Sequence, residues 1–312
     1  GFNAFTQADM NSYYNKLITD LPKLDPQTTL KIANSIWYRQ GFSVLPQFIS
    51  TDSAYFHAKV QSLNFNDPSS ANTINSWVNN QTNGKIPAIV DQIDDSDVMF
   101  LINAIYFKSV WNSKFDASQT RPGPFYLPDV STVQADMMKG DKINYNLYSD
   151  QNVTVLELPY INKKYSMVIV EPSPNKVLLN LDTLTWNGWM GKLAANSGPV
   201  IMPKFKFTYN ILLNNALGSL GMGNAFSDAA DFTGINPAGN LHITKVLHKA
   251  YVAVDESGTE AAAATSVSIG LTSAEGPPTI TIDHPFIFVI REMKTGLILF
   301  AGTVNNPLLP GS

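Results

Sequence analysis

The chain contains no cysteine. That absence excludes disulfides, thiol nucleophiles and thiolate metal sites together, and it leaves the redox compartment open. Charge is sparse too: 21 Lys and Arg against 25 Asp and Glu give a net charge of −4, with the basic residues scattered along the chain. Such a surface lacks the basic patch that nucleic acid or an anionic membrane would require as main partner. No apolar run reaches the roughly 18–20 residues of a membrane-spanning helix, so no membrane span is expected. The opening Gly1-Phe2-Asn3 offers neither an initiator methionine nor a signal peptide, and any targeting segment is expected upstream.

Catalytic signatures are missing as well. His57, His242, His248 and His284 are spread out, with no HExxH or paired-histidine spacing for a metal. No G-x-S-x-G elbow offers a hydrolase serine. The glycines of GSLGMG at 218–223 stand in the wrong order for a dinucleotide loop and follow a helical stretch, so they are expected to form a turn. Asp94, Asp95 and Asp97 sit in a polar turn and suit a solvated loop better than an acid/base pair. Asn80-Gln81-Thr82 and Asn152-Val153-Thr154 fit the glycosylation sequon, a pattern common by chance. Nothing resembles an active site; the expectation is a protein that is no enzyme and carries no metal and no cofactor.

What is present is a well-filled core. Hydrophobic residues make up 44% of 312, with 17 Phe, 12 Tyr and 5 Trp, enough for one large domain. Residues 1–90 read as mostly helical. TQADMNSYYNKLITDL places Met10, Tyr14, Leu17 and Leu21 on a stripe behind the cap residue Thr6, and SANTINSWVNNQTNGKI puts Ile74, Trp77 and Val78 on one face before Gly84 stops it. From residue 98 onward, VMFLINAIYFKSVW, VTVLELPY, YSMVIVEP, GPVIMPKFKFTYN, KVLHKAYVAVDE, TITIDHPFIFVIRE and GLILFAGTV read as strands. Helices first and strands later predict an α+β fold, and with neither repeat nor linker it is expected to form a single domain over 1–312.

Two polar residues stand out on otherwise apolar strand faces. His248 alternates with Val246, Ala250, Val252 and Val254, and Asn103 with Leu101, Ile105, Phe107 and Trp111. An unpartnered buried Asn or His costs about 1–3 kcal/mol, so pairing the two with each other is the economical expectation. The segment ESGTEAAAATSVSIGLTS at 256–273 is stranger. Its alanines favour helix and its second half alternates like a strand, and no charge follows Glu260 for thirteen residues.

Several segments together carry a family resemblance. LHKAYVAVDESGTEAAAAT at 247–265 resembles the hinge of the serpins, whose pattern runs H-K-A and then acidic-x-G-T-E-A-A-x-A-T. LINAIYFKSVWNSKFDASQT is similar to a serpin strand segment in its Asn, Phe, Trp, Phe and Thr spacing, and MPKFKF, LGMGNAFSDAADFTGI, HPFIFVIRE and GLILFAGTVNNP also resemble serpin signatures. The likeness runs in order along essentially the whole chain. One departure is plain: the N-terminal helical portion of the family, with its N-x-x-x-S-P motif, has no counterpart here. A serine-bearing helix of that portion would complete the polar cluster around Asn103 and His248, and a chain lacking it is expected to expose core.

The resemblance implies a serpin-like fold, with a large central, mostly antiparallel sheet, further sheets and helices, and an exposed reactive loop over about 257–278. It implies suicide inhibition of a serine protease, in which the enzyme is trapped covalently as the cleaved loop inserts into the main sheet. The hinge would comprise Glu256, Gly258, Thr259, Glu260, Ala261, Ala262, Ala263, Ala264 and Thr265, and Asn103, His248 and Trp111 would belong to the shutter and breach through which the sheet opens. If the segment inserted, the two-residue period would turn Thr259, Ala261, Ala263, Thr265, Val267, Ile269 and Leu271 inward and leave Glu260 outside.

Counting from Glu256 by the family spacing puts the reactive bond at Thr272-Ser273. Counting back from Pro285 puts it near Ala274, and a cut after Leu271 would suit chymotrypsin-like enzymes. Small residues there, with no Arg or Lys between 257 and 283, favour an elastase-like or subtilisin-like target. The alternative is a non-inhibitory member acting as chaperone, carrier or protease substrate, against which the small hinge residues speak. The helix TQADMNSYYNKLITDL carries a single lysine, so no heparin site is expected. A monomer, extracellular or at the cell envelope, completes what the resemblance implies.

Overall fold

The computed structural model describes residues 5–174, 176, 181–239, 241–259 and 277–309. In chain order the elements are α1 (Gln7–Asp20), β1 (Thr29–Arg39), α2 (Pro46–Tyr55), β2 (Lys59–Leu63), α3 (Ser70–Gln81), β3 (Met99–Val110), β4 (Asp116–Tyr126), β5 (Thr132–Ser149), β6 (Val153–Pro159) and β7 (Tyr165–Pro172). There follow α4 (Thr183–Met190), β8 (Ala194–Pro203), β9 (Phe205–Leu212), α5 (Asn214–Leu217), β10 (Val246–Asp255), β11 (Gly258–Thr259), β12 (Ile280–Thr281), β13 (Phe286–Glu292) and β14 (Ile298–Val304). Helices dominate the start and strands the remainder, an α+β arrangement.

Local chemistry explains the helix ends. Thr6 caps α1 through a reciprocal box: its hydroxyl accepts from the Asp9 N–H at 3.1 Å, and the Asp9 carboxylate accepts from the Thr6 N–H at 3.1 Å. In α3, Ile74 and Val78 are fully buried. Just past the helix the Thr82 hydroxyl donates to Val78 O at 2.9 Å and accepts from the Ile86 N–H at 3.1 Å. Gly84, at φ +78, returns its N–H to Asn79 O at 2.8 Å, an end that the positive φ makes easy for glycine alone.

The chain divides into two compact units. One takes the chain up to Leu24, then Thr29–Tyr106 and Thr208–Tyr251. Its strands lie in the order β2-β1-β3-β10-β9. Two of the pairs run parallel: β1 with β2, and β3 with β10, the latter in register from Leu101↔Val246 to Tyr106↔Tyr251. The fully buried side of β3 is Ile102, Ala104 and Tyr106, whereas Leu101, Asn103 and Ile105 are half-buried. Asn103 therefore occupies the less buried face of its strand. Arg39 fixes the loop ahead of β3, its guanidinium donating to the backbone oxygens of Asp94, Asp95 and Asp97 at 2.9–3.1 Å.

The other unit comprises Asp25–Thr28, Phe107–Phe207 and Val252–Ser312. It holds an eight-stranded sheet in the order β12-β8-β5-β6-β7-β13-β14, with β4 paired to β5. Its pairings are antiparallel apart from β12 with β8. Every residue of β7 is buried, which is why the strand reads as a continuous apolar run rather than an alternation. One charge enters this core. Glu157, 2% exposed, accepts from Arg291 at 2.6 Å, Ser166 at 2.7 Å and Asn146 at 2.6 Å, so its lone pairs are filled where water is absent.

Candidate functional site

The second unit concentrates its polar architecture where β10 ends. At Asp255 the chain turns, with the Asp255 carboxylate accepting from the N–H groups of Ser257 at 2.8 Å and Gly258 at 3.2 Å. Burial pushes that carboxyl up, and the two backbone donors oppose the shift. After the turn, β11 runs back between β10 and β3, antiparallel to both, pairing Val254↔Thr259 and Asp255↔Gly258 on one side, and Val110↔Gly258 and Ser109↔Thr259 on the other.

Gly258 has no substitute here. A Cβ would stand 2.1 Å from Ser109 O and 2.6 Å from Val110 Cα, at φ +153. Close approach of three backbones leaves room only for hydrogen. Thr259, next in line, is fully buried, and its hydroxyl lies 2.5 Å from the hydroxyl of Tyr160. Tyr160 is also fully buried, and burial raises its phenol, so it serves as a neutral hydrogen-bonding group.

Trp111 closes this arrangement from β3's end. It is 2% exposed and stacks on Tyr160 with centroids 4.7 Å apart and planes 6° apart. Its indole N–H donates to Asp255 O at 2.9 Å and its backbone N–H to Ser257 O at 2.9 Å, so it holds both ends of the turn. Glu256 faces the other way. The Thr120 hydroxyl donates to it at 2.6 Å and the Lys204 ammonium at 3.1 Å. Burial opposes ionisation of Glu256, but the Thr120 hydroxyl and the Lys204 charge outweigh it and hold the carboxyl below its usual value.

A family model for serpins, described as serine protease inhibitors, matches residues 1–307. The chain belongs to the serpin family. Leukocyte elastase inhibitor of Bos taurus is 34% identical over 318 residues, covering 97% of this chain and 84% of that protein. The crystal structure of the thermophilic serpin tengpin in its native state superposes with a TM-score of 0.86 at 33% identity, over 97% of this chain and 80% of that one. Human thyroxine-binding globulin superposes with a TM-score of 0.88 at 28% identity, over 98% and 83% respectively. Many members of the family are protease inhibitors, and some, thyroxine-binding globulin among them, are not.

In this serpin the expected hinge residues Glu256, Gly258 and Thr259 and the expected breach residue Trp111 meet within one network. The expected hinge positions Glu260, Ala261, Ala262, Ala263, Ala264 and Thr265, and the reactive-bond candidates Leu271, Thr272, Ser273 and Ala274, lie outside the described residues. Asn103 and His248 stand elsewhere, in the first unit, facing each other in the β3–β10 register. His248 Nδ1 is 2.9 Å from Asn103 Oδ1. The Asn103 amide nitrogen donates to Asn34 Oδ1 at 2.8 Å, and Asn34 donates in turn to Phe56 O at 2.9 Å. That sequence of donors leaves Asn103 Oδ1 as an acceptor, so Nδ1 of His248 carries the proton. Burial lowers the His248 pKa and favours this neutral ring.

Thr120, Lys204 and Tyr160 were not singled out by sequence reasoning. Each reaches its partner across a long separation: 136 residues for Thr120–Glu256, 52 for Lys204–Glu256 and 99 for Tyr160–Thr259. Among the described residues, no helix is long and apolar enough to cross a membrane.

Proposed function

We propose that this serpin inhibits an elastase-like or subtilisin-like serine protease by covalent trapping, with the reactive bond at Thr272-Ser273. The observation that carries the reading is β11. Its two residues already lie between β3 and β10, antiparallel to both. Further along, the same two strands pair directly and in parallel from Leu101↔Val246 to Tyr106↔Tyr251. A parallel pair is what an antiparallel third strand can enter while making the same kind of ladder on each side. Continued insertion would place Ala261, Ala263 and Thr265 on the side where Thr259 is fully buried. Small side chains at those positions lower the steric demand of each step.

In this mechanism the protease serine attacks the carbonyl of Thr272, expelling the amine of Ser273 and leaving an acyl-enzyme. Insertion of the freed loop then carries the tethered protease along the sheet before water completes hydrolysis. Asn103 and His248 act as the shutter, because the Nδ1–H···Oδ1 bond between them must break for β3 and β10 to separate. Trp111 acts at the breach through its grip on the hinge turn. The similarity to bovine leukocyte elastase inhibitor supports the class of target.

The test mixes the protein with neutrophil-type elastase and with subtilisin, followed by denaturing gels and mass spectrometry of the new termini. A band at the summed mass with a cut after Thr272 is expected. Cleavage in the loop without such a band overturns the reading and makes the protein a substrate-type or carrier member of its family.

A further inference from the structure

Away from the turn at Asp255, the second unit brings three ligand-type side chains together at the end of β7. Glu171 stands beside Asp283 and His284 in the link between β12 and β13, and their nearest ligand atoms all lie within 4.8 Å of one another. Glu171 is 8% exposed. Its Oε1 accepts from the backbone N–H groups of Asp283 and His284, both at 2.9 Å, while its Oε2 accepts no hydrogen bond among the described residues. His284 Nδ1 is 2.6 Å from Asp283 Oδ1, and the imidazole stacks on Tyr126 with centroids 4.8 Å apart. Of the three, His284 also lines a cavity of about 480 Å³, together with Tyr126, Val130, Pro172, Ser173 and Lys176.

We propose that Glu171, Asp283 and His284 bind a divalent transition-metal cation of the zinc class, with a fourth coordination position left to water or a small anion. Two carboxylates and one imidazole are a mixed oxygen and nitrogen set, which suits zinc-class ions better than calcium or magnesium, whose sites are built from oxygen alone. Three protein ligands complete all but one of the tetrahedral positions, and the cavity beside His284 provides an entry path. The site is partly organised in advance. The two backbone donors fix Oε1 of Glu171, leaving Oε2 to ligate, and the Tyr126 ring fixes the plane of His284.

Metal–ligand bonds of about 2.0–2.1 Å require donor atoms about 3.3 Å apart, so the most distant pair must close by roughly 1.5 Å through side-chain rotation. Ligation releases to solvent both the proton now lying between His284 and Asp283 and the proton favoured on Glu171, whose carboxyl burial pushes up to about 8. Sequence spacing hid the group, because Glu171 is 112 residues from Asp283.

The experiment titrates the chelator-treated full-length protein with zinc chloride by calorimetry, with calcium and magnesium chlorides as comparators. Cobalt(II) visible absorption reports the ligand field independently. One zinc per chain is expected, bound more tightly than calcium. Glu171→Gln and His284→Gln should each weaken it by at least about 100-fold, because even indirect supporting residues of metal sites are worth 10–100-fold. His242→Gln, at the exposed pair with Asp228, should leave binding unchanged. Circular dichroism establishes that each variant is folded. Should Glu171→Gln fail to fold, His284→Gln and Asp283→Asn decide. The proposal is overturned if no saturable zinc binding occurs, if the folded ligand variants bind as the parent does, or if His242→Gln removes the signal.

Discussion

Replacing Gly258 by Ala tests the hinge directly. The new methyl would meet Ser109 O at 2.1 Å and Val110 Cα at 2.6 Å, both backbone atoms that cannot swing aside. β11 should therefore leave its place between β3 and β10. The loss includes its ladder hydrogen bonds, at about 0.5–1.5 kcal/mol each, and leaves the Tyr160 hydroxyl buried without Thr259, at about 1–3 kcal/mol. Together these amount to roughly 3–5 kcal/mol.

For a chain of this size, about 2 °C per kcal/mol predicts a fall of roughly 6–10 °C in melting temperature. All scans are run at one rate, so that parent and variant are compared under the same conditions. Gly234→Ala serves as control, because a Cβ there meets nothing within 4 Å. In the protease assay, a barrier to insertion raised by about 3 kcal/mol should shift the outcome from trapping to turnover by roughly 100-fold, at 1.4 kcal/mol per tenfold. If Gly258→Ala melts with the parent and forms complexes at the same stoichiometry, the steric account of the hinge is wrong.

Two further perturbations probe the rest of the framework. Arg291→Met removes the charged partner of Glu157, which is 2% exposed, and should cost about 3–5 kcal/mol; the double variant Arg291→Met/Glu157→Leu should recover most of that in a denaturant titration. His248 has its pKa lowered by burial, so the unfolded chain takes up its proton more readily. Its contribution to stability is fully present above about pH 6.5 and is lost as pH falls through the folded value. The melting temperature should therefore fall more steeply between about pH 7.5 and about pH 5.5 in the parent than in His248→Gln, and equal slopes would refute the assignment.

The elements legible in the sequence are those whose own residues determine them. The Thr6 cap and the Ile74/Val78 face gave α1 and α3, and apolar runs gave β6, β7 and β13, because strands buried on both sides leave an unbroken signal. β5, the longest strand, was missed: its buried positions alternate with Asp, Lys and Asn, residues that favour turns when they stand alone. β4 carries Pro122, Gly123 and Pro124, which argue against a central strand, and among the described residues it pairs with β5 alone, an edge position where proline is tolerated. α4 did have a signal, since Asp182 accepts from the Thr185 N–H at 2.7 Å, but its short length gave no periodicity to accompany it.

At the turn between β10 and β11 the same division holds. Glu256, Gly258, Thr259 and Trp111 stand in recognisable patterns of their own, whereas Thr120, Lys204 and Tyr160 acquire their roles only when distant strands meet. The Asn103–His248 pair lay between these cases. Alternation on two separate strands suggested it, and a shared register realised it.

The position of β13 has a consequence for what a protease can accomplish. β13 is flanked by β7 on one side and β14 on the other, and all seven of its residues are buried or nearly so. A cut anywhere between Thr259 and Pro277 severs the backbone but not the sheet. The piece from Pro277 onward stays threaded through its neighbours, held by the ladder with β7 from Ile287↔Val170 to Glu292↔Tyr165 and by the Glu157–Arg291 ion pair. Cleavage there therefore leaves the C-terminal piece woven into the second unit's sheet, to be released only when that sheet unravels.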